Sequence, residues 1–292
     1  MNTSTKAGRV ALCAAAVIAV AGVTGCSAGE TKKAAHQAVK AAAQPLAALQ
    51  RATASTKKYG SADVTMATSV SGGTPTTMSG TYSWGTGLSF DVQMDAKAVG
   101  MTQLAPGKNV NMLLVHGAYY YNVVPQPSGP LKGKHWMKVD SSAVLGEQGS
   151  SALNNTNADP TQGLQSLKYA RNAKEIGKET VLGREATHYH ASVSKKDLVA
   201  AGADLGSKDT KELLQQFLGG VDSIGFDVWV DSHDMPVRMK ENIGTVNVSI
   251  DFNKFGPAKT AQTPPAADTA DLTDAIKKQQ SGGPAQSGQP AS

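Results

Sequence analysis

The sequence predicts an α+β fold built on one antiparallel sheet. Three observations predict it: period-two alternation of apolar residues recurs along the chain, glycine-bearing breaks separate the alternating segments, and no helix recurs between strands. The alternation is clearest near the two ends of the domain. Ala62, Val64, Met66 and Val70 alternate with Asp63, Thr65, Ala67 and Ser69, and Val246, Val248, Ile250 and Phe252 alternate strictly. A doubly wound fold would need helices between its strands, so this order argues against one.

Gln44 to Thr56 places Leu46, Leu49 and Ala52/Thr53 at helical spacing, with Pro45 tolerated in a first turn, which predicts an amphipathic helix. Ser61 to Val70 is the first strand, ended by Gly72-Gly73-Thr74-Pro75. Met78 to Trp84, Leu88 to Met94 and Gly100 to Leu104 continue as short strands of a meander. Val110 to His116 and Ala118 to Val124 meet at Gly117, which suits a tight hairpin position, and His135 to Val139 adds a further strand. Ser141 to Leu167 loses the alternation and reads as a loop with helical pieces at Ala143 to Glu147 and Thr161 to Leu167. Ala173 to Val181 and Arg184 to Val193, joined at Leu182-Gly183, return to strand character. Thr210 to Leu218 puts Leu213, Leu214, Phe217 and Leu218 on one helical stripe, with Gly219-Gly220 as a stop. Gly225 to Val230, Pro236 to Ile243 and Thr245 to Phe252 finish the sheet, giving about ten or eleven strands and three helices.

Outside this domain the composition changes. Lys6 and Arg9 precede an almost unbroken apolar run, Val10 to Val23, in the charge-then-apolar order of a secretory signal. That run is shorter than the roughly 20 apolar residues that cross a bilayer, and no later stretch is longer. Val23-Thr24-Gly25-Cys26 then resembles the lipobox of bacterial lipoproteins, in which the cysteine is acylated and becomes the first residue after cleavage. The competing readings are an ordinary signal peptide that happens to contain a cysteine, or an uncleaved anchor. Position, spacing and flanks favour the lipobox. Residues 1–25 are therefore expected to be a lipoprotein signal peptide, 26–43 a tether or the start of a helix, and 44–256 one domain. Residues 257–292 are expected to be a disordered tail, because Leu272 and Ile276 are its only large apolar residues.

Cys13 and Cys26 are the only two cysteines, so a mature domain has none for a disulfide, a thiolate metal site or a nucleophile. Each buried methylene of an acyl chain contributes about 0.8 kcal/mol, so a diacylglyceryl group on Cys26 would hold the protein durably on the outer face of the cytoplasmic membrane. Of 28 Lys+Arg and 23 Asp+Glu, Lys6 and Arg9 leave with the signal, giving 26 against 23. That excess is too mild and scattered to argue for nucleic acid.

Four segments in order resemble the LppX/LprG-type lipoproteins of actinobacteria, relatives of the LolA-like fold. They are Tyr82-Ser83-Trp84 leading into Leu88-Ser89-Phe90-Asp91; Gly117-Ala118-Tyr119-Tyr120-Tyr121 followed by His135-Trp136-Met137-Lys138-Val139; Leu182-Gly183-Arg184-Glu185-Ala186-Thr187-His188-Tyr189; and Phe226-Asp227-Val228-Trp229-Val230-Asp231 followed by Met235-Pro236-Val237-Arg238. The resemblance implies a strongly curved antiparallel half-barrel, with helices packed on its concave side over an apolar cavity that accepts acyl chains. It also implies a carrier or sensor of lipids in the cell envelope, with no catalytic residues to transfer; a monomer that binds lipid or acyl chains, without cofactor or metal, is expected.

The apolar residues expected to line such a cavity are Val64, Met66, Met94, Met101, Met112, Leu114, Val228, Val230, Val246, Val248 and Ile250, with methionine as a soft gap-filler. The plainer reading is that each packs against the helices as core. His188 and His190, two apart on one strand, have a spacing usable by zinc or copper but no third ligand near in sequence. Asp231-Ser232-His233-Asp234 contains the residue types of a catalytic triad, yet it sits between two strands, where Asp and Ser form turns. Tyr119, Tyr120, Tyr121, Trp136 and Trp229 are aromatic enough for a carbohydrate or peptide surface, though strand propensity explains them more cheaply. Two functions remain: a lipid carrier, or an envelope interaction or sensor module that regulates a membrane-protein partner. An enzyme is not expected.

Overall fold

The structure, a computed structural model, describes residues 44–281 apart from 86, 108, 156–161, 171 and 199–219. Its strands in chain order are β1 (Ser61–Val70), β2 (Thr76–Ser83), β3 (Ser89–Asp95), β4 (Asn109–Val115), β5 (Ala118–Asn122) and β6 (Trp136–Asp140), then β7 (Lys174–Val181), β8 (Arg184–Ser194), β9 (Ser223–Asp231), β10 (Pro236–Ile243), β11 (Val246–Gly256) and β12 (Thr269–Asp271). They form one open, curved sheet in the order β12-β6-β5-β4-β3-β2-β1-β11-β10-β9-β8-β7. Two antiparallel meanders are thus stitched together where β1 pairs with β11, from Ser61↔Gly256 to Val70↔Val246.

The turns follow from local chemistry. His116 and Gly117 have φ values of 50° and 75°, and Leu182 and Gly183 have 52° and 73°, so both two-residue hairpins place both central residues in the left-handed region. The twist of that turn matches the twist of its strands.

Among the described residues, helices α1 (44–56), α2 (Ser141–Asn155), α3 (Gln162–Ser166) and α4 (Thr273–Ser281) accompany the sheet, and residues 195–198 are also helical. Leu49 and Ala52 of α1, with Leu164 of α3 and the adjoining Leu167, bury their side chains against Val64, Val228 and Phe252. The helical stripe read from Leu46 and Leu49 therefore faces the sheet, as its spacing requires. Among the described residues no helix is long and apolar enough to cross a membrane.

Three expectations need correction. Gly100 to Leu104 is not a strand. Asp95 accepts a hydrogen bond from the Ala98 amide at 2.8 Å, and the Met101 amide reaches the Ala96 carbonyl at 2.7 Å, so side-chain and local backbone bonds replace a ladder. The sheet is not wholly antiparallel, since β12 pairs parallel with β6. Residues 257–281 are not structureless: they supply β12 and α4, with Ala270 buried and Leu272 packed beside it. The reason is polar. Lys138 meets Asp271 at 2.7 Å, the Asp140 amide donates to the Thr273 hydroxyl at 3.0 Å, and His135 meets Asp268 at 2.8 Å. A count of large apolar residues misses such bonds. The signal segment, Cys26, the tether, the helix expected at Thr210 to Leu218 and residues 282–292 lie outside the described residues.

Candidate functional site

Strand registers decide which side chains share a face. Val64 pairs with Phe252 and Met66 with Ile250. Met78, across from Met66, pairs with Met94, which pairs with Val110. On the other side Met239 joins Ile250 to Val228. Because side chains alternate along a strand, the ten strand-borne residues of the expected lining all lie on the helix-bearing, concave face. Met101 is the exception in placement: it sits in the turns after β3 and packs on this face from there.

The apolar residues of this face fall into two clusters. Val64, Val228, Val230 and Ile250 are buried in the first, with Met66 and Val248 half-buried on its margin. Met94, Met112 and Leu114 are buried in the second, with Met101 against it. Val246, half-buried, pairs with the exposed Val70 at the far end of β1. Tyr82 packs on both clusters and so bridges them.

The sequence reading missed the aromatic line on this face. Tyr82 and Phe90 are 5.1 Å apart, Phe90 and Tyr119 6.2 Å, and Tyr119 and Tyr121 6.5 Å, ring centre to ring centre. Burial, with the nearby Tyr119, pushes the Tyr82 phenol up to about 12, and burial also raises Tyr119 and Tyr121. These phenols are neutral at physiological pH and present ring surface rather than charge. Strand parity carried the signal, since Tyr119 and Tyr121 pair with Leu114 and Met112.

A half-buried acidic group also lies on the concave face. Glu241 of β10 pairs across with Phe226 and Val248, and burial holds its carboxyl above the usual carboxylate value of 4.5. A Cβ on Gly163 would fall 1.9 Å from Glu241 Oε1, so glycine lets α3 sit against this side chain. A carboxyl with a raised folded-state value keeps its proton longer when folded, so stability is full below 4.5 and declines as pH rises through the folded value. Glu241→Gln is therefore expected to raise the unfolding midpoint by a few degrees at neutral pH and to flatten its pH dependence above pH 4.5. Urea or thermal unfolding across that range checks it.

On the opposite face, His188 and His190 share one partner. Asp227 Oδ1 lies 2.9 Å from His188 Nε2 and 3.0 Å from His190 Nδ1, and Glu179 lies 3.1 Å from His188 Nδ1. Burial pushes the Asp227 carboxyl up, but the hydrogen bonds from His190 and His188 outweigh it and hold it below its usual value. His188 stacks on Trp229 at 4.2 Å, and Lys240 covers that indole from 5.3 Å. Among the described residues no group of three His, Cys, Asp or Glu is arranged to hold a metal ion. The string Asp231-Ser232-His233-Asp234 is the β9–β10 turn. Asp231 accepts the His233 and Met235 amides at 2.9 and 3.0 Å, and Arg51 of α1 ties Asp234 at 3.2 Å.

No family model matches the chain. An uncharacterised 31.2 kDa protein from the rplA–rplJ intergenic region of Streptomyces griseus is 27% identical over 249 residues, spanning 81% of this chain and 82% of that protein. A candidate lipoprotein of Streptomyces coelicolor is 25% identical over 170 residues, 56% of this chain and 51% of that protein. Among solved structures, LprF from Mycobacterium bovis covers 76% of this chain and 98% of its own, with 12% identity and a TM-score of 0.49. The chain is likewise similar to the Mycobacterium tuberculosis lipoprotein LppX over 75% of its length and 98% of that protein's, with 14% identity and a TM-score of 0.48.

Proposed function

We propose that this chain is a lipoprotein of the cell envelope, anchored through Cys26 on the outer face of the cytoplasmic membrane, that binds lipid or acyl chains on the concave face of its sheet and carries or chaperones them. The observation that supports the reading is the gathering of ten alternating strand positions on one apolar face, those around Val64 and Val228 beneath α1 and α3, with a line of neutral aromatic rings along it. Apolar surface removed from water contributes roughly 25 cal/mol per Å², so an acyl chain needs shape and greasiness rather than a charged centre. Methionines at 66, 78, 94, 101 and 112 supply unbranched, polarisable side chains that adapt to a ligand of variable outline. Entry of a chain requires the helices to part from the sheet. Met66 and Val248 are among the half-buried residues on the margin of this packing.

Native mass spectrometry of the full chain, gently purified from its own host, tests the reading. A co-purifying lipid, or a mass shift on adding phospholipid, is the expected result. Met66→Trp fills the margin of the face and is expected to lower lipid occupancy about tenfold with little change in the unfolding midpoint. If neither preparation carries lipid, the carrier reading fails and the interaction or sensor module takes its place.

A further inference from the structure

The outer face of the sheet holds a cleft that the lipid reading does not use. Thr81 of β2 pairs with Asp91 of β3, which pairs with Leu113 of β4, and alternation puts all three opposite the concave face. Asn122 of β5 pairs with Trp136 of β6 on the same side. Residues 259–262 cross these strands as a strap, the Lys259 amide donating to the Ser83 hydroxyl and the Ala261 amide to the Ser89 hydroxyl, each at 2.9 Å. Between strap and sheet lies a cleft of about 550 Å³, floored by Asp91, Asn111 and Leu113 and bounded by Asn122, Trp136 and Gln262. That volume lies within the range of small-molecule sites.

The geometry points to this cleft as a binding site for a neutral carbohydrate. Its lining pairs one indole with a carboxylate and planar amides. An aromatic face takes the apolar C–H side of a sugar ring, while amides and carboxylates engage its hydroxyls, which both donate and accept. Asn111 Nδ2 donates to Asp91 Oδ1 at 2.8 Å, which fixes the amide, and Thr81 donates to Asp63 Oδ1 at 2.7 Å, which leaves its oxygen as an acceptor. Asn111 Oδ1 is buried and has no hydrogen-bond partner among the described residues. That oxygen is closed to solvent, so the polar groups offered to a ligand are those lining the cleft around it: Thr81, the Asp91 carboxylate and the Asn122 and Gln262 amides. A peptide is the weaker fit. Peptides bind sheets by extending an open edge, and the strands under this cleft are paired on both sides.

Tryptophan fluorescence of the full chain tests the site, because Trp84 and Trp229 are buried and Trp136 is the half-buried indole of the three. Titration with N-acetylglucosamine, mannose, maltose and trehalose is expected to give a saturable change with at least one of them. The change should vanish in Trp136→Phe, and affinity should fall about tenfold or more in Asp91→Ala. Gln262→Ala, on the strap rather than in the sheet, is expected to weaken binding in the same direction and guards against a folding defect in the floor variants. No saturable response to any sugar, unchanged affinity in both Asp91→Ala and Gln262→Ala, or a response only to peptides of similar size would overturn the assignment. Lipid occupancy should be the same in all three variants, so failure here leaves the carrier reading standing.

Discussion

Gly80→Ala is expected to cost about 3–5 kcal/mol, enough to unfold a marginally stable domain. Gly80 lies mid-strand in β2, between Val64 of β1 and Val92 of β3. A Cβ there would stand 2.1 Å from the Asp91 carbonyl oxygen and 2.7 Å from the Val92 Cα. Those obstacles are backbone, so no rotamer change relieves them, and its φ of +155° suits glycine better than an L side chain. Relief would require β2 and β3 to separate, at the point where Val92 is fully buried. Gly72→Ala is the control. Gly72 has a φ of +72° but nothing within 4 Å of an added Cβ, so only the conformational cost of about 1 kcal/mol applies. Urea unfolding of both variants by circular dichroism reads the contrast, and equal costs would refute the steric account.

Phe252→Ala is expected to cost about 3–5 kcal/mol by leaving a void in the first apolar cluster. The Phe252 side chain is fully buried on β11 opposite Val64, its ring stacked on Phe255 at 5.3 Å, in a cluster that includes Leu49 of α1. The strands around it are pinned by their own ladders, and Arg184 ties the Phe252 carbonyl, so the site collapses poorly and the cavity persists. Denaturant midpoints at constant slope would measure the loss. A cost below about 1 kcal/mol would mean that this face is fluid enough to refill.

Much of the sheet was legible because its signals are local. The alternation from Ala62 to Val70 and from Val246 to Phe252 gave β1 and β11, and His116-Gly117 and Leu182-Gly183 gave two hairpins with their turn positions. The same alternation put Val64, Met94, Met112, Val228 and Ile250 on one face without any structure. Other features depend on partners distant in the chain. Ala270 and Leu272 look like tail residues until β6 offers a free edge and Lys138 a counter-charge for Asp271. Met101 reads as a strand residue because the capping role of Asp95 is invisible to a count of apolar residues. The outer cleft was equally hidden, since Asp91, Asn111, Trp136 and Gln262 are brought together only by strand order.

The parallel seam between β6 and β12 sets an order of assembly. Lys138 and Asp271 are 133 residues apart, and the β1–β11 pairing joins Ser61 to Gly256, whereas most other neighbouring strands are joined by a hairpin or short connection. Each meander can form as its own stretch of chain becomes available, but both long seams wait for the far end. A chain emerging amino-terminus first therefore carries two unfinished rims, at β1 and at β6, until its last strands arrive. Its maturation is paced by β11 and β12 rather than by the bulk of its core.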